Sequence, residues 1–325
     1  MRILYLGMMN DFSRIPLEIL LKAGLDICAV WVSGPDPSGS IFRRREFPPF
    51  RNLPVRKTWS QKENGKHLVF QAARDRGVPV EQDLWLLSPE QRLKKLNPDL
   101  VCVACFDKRI SAELLAIPRH GFLNLHPSLL PDYRGPAPLF WQLRAGEPWT
   151  GVTVHWMDAD LDTGDIAGQR RTPLPPGITG PELDRLLGTL GGELLVSVLT
   201  ELEVGQVARW PQRPGGSYHT WPRLEDFRLD TGWPARRAYN FMRGTAEWMQ
   251  PYPVTVDGTE LHLGSALEYS EDERLSAPWE EVDLTGTELE WMNGRAVRIQ
   301  FSPGVLTAVL SCPPPRPGPP WPLGG

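Results

Sequence analysis

The sequence predicts an α/β fold: a Rossmann-like, mostly parallel sheet with helices on both faces, followed by a small C-terminal β-barrel of the OB-like kind. Three observations carry the prediction. The first 130 residues alternate short, near-continuous apolar runs with helix-like segments, the pattern of strands buried on both faces and their crossover helices. Beyond Tyr218 the apolar runs alternate with polar residues and are separated by Asp257-Gly258, Asn293-Gly294 and Pro303-Gly304, which are hairpin signals. Between the two regions lies G-Q-V-A-R-W-P-Q-R-P-G-G-S, a linker by composition.

The expected strands of the first region are R-I-L-Y-L-G (2–7), L-D-I-C-A-V-W-V (25–32), D-L-V-C-V-A-C-F (99–106) and G-F-L-N-L-H (121–126). Helices are expected at about 14–24, 63–75, 88–96 and 111–117, the third opened by a capping box, Ser88-Pro89-Glu90-Gln91. A lone Gly7 follows the first strand without a G-x-G-x-x-G, so no nicotinamide cofactor is implied. T-G-V-T-V-H-W-M (150–157) reads as a further strand. Thr179-Gly180-Pro181-Glu182 opens a leucine-rich helix that should end near Gly205, and another helix is expected near 234–245. The resulting division is an α/β domain at 1–204, a linker at 205–217, a C-terminal barrel at 218–310 and a Pro-rich tail at 311–325. The tail reads as extended rather than packed.

With 325 residues, 41% hydrophobic, 23% charged and a net charge of -4, the chain reads as a soluble pair of domains, and its overall charge does not point to nucleic acid. Its amino end is too short an apolar run for a signal peptide, and no stretch reaches about 18 uninterrupted apolar residues. A cytoplasmic protein with no membrane partner is expected. Four cysteines do not make a disulfide scaffold. Cys102 and Cys105 form a C-x-x-C, but in strand-like surroundings, where positions three apart face opposite sides. They read as small buried hydrophobes, and no metal is expected.

Chemistry is suggested where the fourth strand ends. Asn124 and His126 are two apart, so the strand period puts them on one face, and Pro127 stops the ladder. Loops beyond the carboxyl ends of parallel strands are where such sheets build ligand sites. Taken alone, a histidine there is more often structural, its ring satisfied by a backbone partner. Further on, Asp158, Asp160, Asp162 and Asp165 crowd D-A-D-L-D-T-G-D-I, which for any one of them reads as a turn with solvated carboxylates. Convergence would change that reading. Asn can donate to a developing oxyanion, His can move a proton near neutral pH, and Asp can hold the imidazole.

Taken together, N-L-H-P-S-L-L-P-D-Y-R-G, T-G-V-T-V-H-W-M-D and L-D-T-G-D-I resemble the signature of the formyltransferases that use 10-formyltetrahydrofolate. That family includes methionyl-tRNA formyltransferase, glycinamide ribonucleotide formyltransferase and the sugar-nucleotide N-formyltransferases. The resemblance implies that Asn124, His126 and Asp162 are the catalytic residues. A primary amine would attack the formyl carbon of the co-substrate, Asn124 and His126 would stabilise the oxyanion, and Asp162 would orient His126 and help remove the amine proton. It also implies a folate site at V-A-C-F-D-K-R-I, with Cys105, Phe106 and Asp107, and at the loop before Asp162, with Asp160 and Leu161. The chain departs from the family there, having C-F-D-K where methionyl-tRNA enzymes commonly show tyrosine and glycine.

A rival reading pairs Asp162-Thr163-Gly164 with Asp230-Thr231-Gly232, as in an aspartic protease. The opening βαβ pattern and Trp233-Pro234 after the second triplet oppose it.

The acceptor divides the observations. The basic, phenylalanine-interleaved run at 42–57, with Arg43, Arg44 and Arg45, corresponds to the loop that reaches the tRNA acceptor end in methionyl-tRNA formyltransferases, and suits phosphates and unstacked bases. Arg134, in the signature itself, is the fourth acceptor-binding candidate. Against tRNA, residues 219–325 hold nine Arg and no Lys against fifteen Asp plus Glu, and Asp132 stands where tRNA enzymes often carry Lys or Arg. H-W-M-D and P-Y-P look more like the sugar enzymes. Initiator methionyl-tRNA is the expected acceptor, with a small amine such as an amino-sugar nucleotide, or water in a hydrolase, as the alternatives.

Overall fold

Each apolar run identified before residue 130 is a strand, because a run that is apolar on both faces can be buried only between two layers. The computed structural model describes residues 1–33, 71–82, 88–106, 108–282 and 295–311. Its elements begin with β1 (Ile3–Met8), α1 (Asp11–Lys22), β2 (Ile27–Ser33), α2 (Gln71–Arg74), β3 (Val80–Gln82), α3 (Pro89–Leu96), β4 (Leu100–Ala104) and α4 (Ala112–Leu115). They continue with β5 (Phe122–His126), α5 (Pro138–Ala145), β6 (Trp149–Trp156), β7 (Ile166–Pro173) and α6 (Gly180–Glu203). The C-terminal part holds α7 (Ala235–Gly244), a 3-10 turn (Ala246–Trp248), β8 (Tyr252–Val256), β9 (Thr259–Ser270), β10 (Trp279–Val282), β11 (Ala296–Gln300) and β12 (Val305–Leu310).

The larger sheet has seven strands in the order β3-β2-β1-β4-β5-β6-β7. Pairing is parallel from β3 to β5, and β6 and β7 add antiparallel. It is a mostly parallel mixed sheet with helices against both faces. Strand alternation sorts the side chains cleanly. Ile3, Tyr5, Cys102, Leu123 and Leu125 face one core with Leu17 of α1 and Leu195 of α6. Leu4, Leu6, Val101, Val103 and Phe122 face the other with Leu93 of α3 and Leu114 of α4. On the first face α1 and α6 approach closely because α6 offers glycine: a Cβ on Gly192 would fall 3.0 Å from the Pro16 Cα.

The capping box expected at Thr179 and Glu182 is present. The one expected at Ser88 is not: Ser88 takes a left-handed φ of 51°, whereas a capping side chain needs extended backbone to reach back to the first turn. Of the helix expected at 63–75, only Gln71–Arg74 falls among the described residues. Strand β7 and helix α5 had no counterpart in the sequence reading. The C-terminal strands form a five-stranded antiparallel sheet, β10-β11-β12-β9-β8, whose edge strands are not paired to each other among the described residues. The Asn293-Gly294 signal, Arg43, Arg44, Arg45, Asp107 and the Pro-rich tail beyond Ser311 lie outside the described residues.

The two parts share apolar packing: Phe140 of α5 meets Phe227 and Phe241 edge-on, at 5.0 and 5.2 Å between ring centroids. At the same junction two acids come together. Burial, then the neighbouring charge of Asp11, pushes the Asp184 carboxyl up to about 7, opposed by Arg185. Burial, then Asp184, pushes Glu247 up to about 7. A carboxyl raised above its unfolded value keeps its proton in the fold while the unfolded chain ionises. Its stabilising contribution is therefore lost as pH rises from about 4 to about 7. Asp184→Asn should raise the melting temperature above wild type at pH 8 and leave it close to wild type at pH 5, by thermal denaturation. An equal difference at both pH values would contradict a buried, proton-holding Asp184.

Candidate active site

The cis-standing polar pair at the end of β5 is built by two periods. Phe122, Asn124 and His126 alternate with Leu123 and Leu125, so the amide and the imidazole continue the face that Phe122 begins. Antiparallel β6 then pairs Asn124 with His155 across the ladder. That register brings in a second imidazole which the sequence reading treated only as part of a strand. The Asn124 Nδ2 donates to His155 Nε2 at 3.1 Å, and His155 Nδ1 donates to the Trp156 carbonyl at 2.9 Å. With the Asn124 amide nitrogen as donor, His155 Nε2 is the acceptor of the first bond and Nδ1 the donor of the second.

Asp162 reaches the pair from the loop between β6 and β7. The loop is held in an unusual shape: Asp162 has a φ of 58°, in the left-handed region. Gly164 follows because a Cβ there would fall 1.9 Å from the Trp156 carbonyl oxygen. The Asp162 Oδ2 accepts the Gly135 N–H at 2.8 Å. Its Oδ1 lies 3.6 Å from His126 Nδ1, 3.6 Å from His155 Nε2 and 3.5 Å from Asn124 Nδ2. Three nitrogens thus surround one carboxylate oxygen, with Asp162 side chain only 12% exposed.

The charge states follow. Burial of Asp162 would raise its carboxyl, but His126, His155 and the Gly135 N–H outweigh burial and hold it well below the usual carboxylate range. Burial depresses the His126 pKa below 6.5, against the opposing pull of Asp162 and of the Tyr133 carbonyl. A neutral imidazole beside an anionic carboxylate is the resting arrangement. His126 donates Nε2–H to the Tyr133 carbonyl at 2.9 Å, so in the neutral ring the lone pair is on Nδ1, facing Asp162. A proton taken up at Nδ1 would be shared with that carboxylate at once.

Other expected site residues fall around this centre. Cys105 follows β4 with a φ of 59°, its sulfur accepting from Asn10 Nδ2 at 3.2 Å, where β1 and β4 lie side by side. That is the crevice at which the chain turns outward in both directions, the usual ligand position of such sheets. Phe106 and Met157 are partly buried against the second core, and Leu161 is 55% exposed on the loop beside Asp160. Cys102 is buried, and burial pushes its thiol up to about 12.

Arg134 is engaged within the protein. Its Nε and Nη2 donate to Gln212 Oε1 at 3.3 and 3.0 Å, and Gln212 Nε2 donates to the carbonyls of Asp162 and Gly164 at 2.8 and 2.9 Å. Asp230 lies far along the chain and accepts the Gly232 N–H at 2.8 Å, closing its own turn rather than pairing with Asp162. Among the described residues no group of three or more His, Cys, Asp or Glu could hold a metal ion, and no helix is long and apolar enough to cross a membrane.

Comparison with known proteins gives the family and the fold. Residues 2–199 match the formyl transferase family. The chain is 35% identical over 256 residues to a methionyl-tRNA formyltransferase of Geobacter metallireducens, covering 78% of this chain and 76% of that one. An N-formyltransferase from Helicobacter canadensis, solved with folinic acid and dTDP-3-aminofucose, shares the fold at a TM-score of 0.61 and 15% identity, over 95% of this chain and 99% of that one. The sugar 3N-formyl transferase WlaRD, solved with dTDP and 5-N-formyl-THF, does so at 0.63 and 15% identity, over 95% and 97%. An α/β sheet of this order and a family match over most of the sheet leave no place for the protease reading. The chain belongs to the formyl transferase family and is a formyltransferase enzyme related to the methionyl-tRNA formyltransferases.

Proposed function

We propose that this enzyme moves the formyl group of 10-formyltetrahydrofolate to a primary amine, with Asn124, His126 and Asp162 as its catalytic residues and His155 as the partner that orients Asn124. The observation that carries the proposal is the single Asp162 oxygen within 3.6 Å of both imidazoles and 3.5 Å of the Asn124 amide. The co-substrate supplies an electrophilic formyl carbon. The protein's part is to hold the oxyanion and move one proton.

Asn124 is suited to the first task. One hydrogen of its Nδ2 is fixed on His155, and the second makes only a weak 3.5 Å contact with Asp162, so the second is the one left for a developing oxyanion. His126 is suited to the second. Its Nδ1 lone pair accepts the proton leaving the attacking amine, and Asp162 stabilises the imidazolium until that proton passes to the departing folate nitrogen. Only then can His126 itself donate to the oxyanion, because its other nitrogen is committed to Tyr133. The exposed Leu161 and the partly buried Phe106 and Cys105 would border the folate ring.

Methionyl-tRNA is the proposed acceptor. The curated relative at 35% identity carries that name and is covered over 76% of its length. The second reading, a small amine such as an amino-sugar nucleotide, rests on the exposed Asp132 in the signature and on the -6 balance of residues 219–325, where nine Arg face fifteen acids. Purified protein incubated with 10-formyltetrahydrofolate and either charged initiator tRNA or a panel of amino-sugar nucleotides, with tetrahydrofolate release followed, separates them. Turnover with the tRNA alone, falling steeply with salt, is the expected result. Turnover only with small amines would replace the acceptor, and release without any acceptor would make the enzyme a hydrolase.

Two further outcomes follow for the catalytic residues. Asn124→Ala, His126→Ala and Asp162→Ala should each fold, by circular dichroism, with formyl transfer reduced at least about 100-fold; near-normal turnover by any one removes it from its role. Since neutral His126 is the working base, kcat should fall as pH drops through a midpoint below 6.5. Asp162→Asn removes the charge that raises the His126 pKa, so the residual activity should keep to still lower pH. A midpoint that moves upward would show that Asp162 does not stabilise the imidazolium.

A further inference from the structure

The strap between the two parts of the molecule touches both catalytic loops. Gln212 donates to the main chain on either side of Thr163, fixing the turn that gives Asp162 its left-handed backbone. Ser217 works on the other loop. Its Oγ accepts the Tyr133 N–H at 2.9 Å, its carbonyl accepts the Arg134 N–H at 2.9 Å, and the His219 N–H returns to the Arg134 carbonyl at 2.9 Å. Arg134 and Tyr218 form a parallel bridge, so the strap pairs with the catalytic loop as a short strand would.

The fit is close enough to exclude side chains. A Cβ on Gly135 would fall 2.0 Å from the His219 carbonyl oxygen, and one on Gly216 would fall 2.2 Å from that of Pro131. Both glycines have positive φ, 110° and 80°. Above this contact the His219 ring stacks on Tyr133, at 5.5 Å and 17°, and on Trp141, at 4.9 Å and 22°. The Tyr133 hydroxyl donates to Glu147 at 2.6 Å. Tyr133 is therefore held at its N–H, its ring and its hydroxyl, and what it offers in return is the carbonyl on which His126 Nε2–H rests. Tyr133 itself has a φ of 59°, a backbone shape that a non-glycine residue keeps only when its surroundings impose it.

We propose that the strap from Trp210 to His219 is a positioning element of the active site: Gln212 sets Asp162, and Ser217 with His219 sets His126 through the Tyr133 carbonyl. This rests on the catalytic roles proposed above. None of these strap residues touches the reacting atoms; they act by holding the two loops in register. Because the strap is also the covalent tie to the C-terminal part, a displacement of that part is delivered to both loops at once.

The test uses the full-length protein with Ser217→Ala, Ser217→Thr and Gln212→Ala. Ser217→Ala leaves the main-chain bridge in place and removes only the acceptor for the Tyr133 N–H. It should lower kcat about 10- to 100-fold with little change in the KM for the folate, since misplacement of a catalytic group costs rate rather than affinity. Ser217→Thr should restore it, and Gln212→Ala should behave like Ser217→Ala. The His126 imidazole titration, followed by NMR, should move to lower pH in both alanine variants and return in Ser217→Thr. Wild-type kcat and an unmoved His126 titration in both folded alanine variants would overturn the proposal. The NMR readout does not require turnover, so an error in the catalytic roles, which would show as active Asn124→Ala or His126→Ala enzyme, is separable from an error in the strap. Should Gln212→Ala fail to fold, the Ser217 pair decides alone.

Discussion

One buried carboxylate organises this molecule. A carboxylate with little exposure needs its charge met by polar neighbours, and Asp162 has a main-chain N–H on one oxygen, with the Asn124 amide at 3.5 Å and two imidazoles at 3.6 Å around the other. These groups come from three parts of the fold: Asn124 and His126 from β5, His155 from β6, Gly135 from the loop after β5. The carboxylate therefore fixes the mutual positions of two strands and two loops. It also bears on the proposed chemistry: burial disfavours a charged His126, and the adjacent carboxylate would stabilise the proton that His126 is proposed to take.

The rest of the structure supports that carboxylate. Both faces of β5 are packed, Leu123 and Leu125 into one core and Phe122 into the other, so a slip of one residue would exchange the cores these side chains fill and carry Asn124 and His126 off their common face. Antiparallel β6 and β7 then return the chain beside β5, and the turn between them carries Asp162. Positive backbone angles at Cys105, Tyr133 and Asp162 all border this centre. Strain held at three points around one site marks a geometry that the surroundings impose rather than one the local sequence prefers.

Much of this was legible in the sequence, for identifiable reasons. The parallel strands announce themselves as apolar runs, and the period of two is enough to place Asn124 and His126 together. Asp162 needed the resemblance, because an aspartate in D-T-G looks like any turn. His155 was hidden for a different reason: its partnership with Asn124 depends on antiparallel register, which no spacing within one strand reveals. Gln212 and Ser217 were hidden in a segment whose Pro and Gly content reads as a passive linker. The same glycines are what let the strap lie against the catalytic loop. The capping box at Ser88 failed because composition cannot report a left-handed backbone.

The central claim is that His126 rests neutral, with its proton on Nε2 toward Tyr133 and its Nδ1 lone pair toward Asp162. Nitrogen NMR of the imidazole-labelled protein at pH 7.5 tests this most directly. The account predicts one pyrrole-type and one pyridine-type nitrogen for His126, with the proton on Nε2, and collapse of that difference only below pH 6.5. An imidazolium at pH 7.5, or a neutral ring protonated on Nδ1, would contradict it.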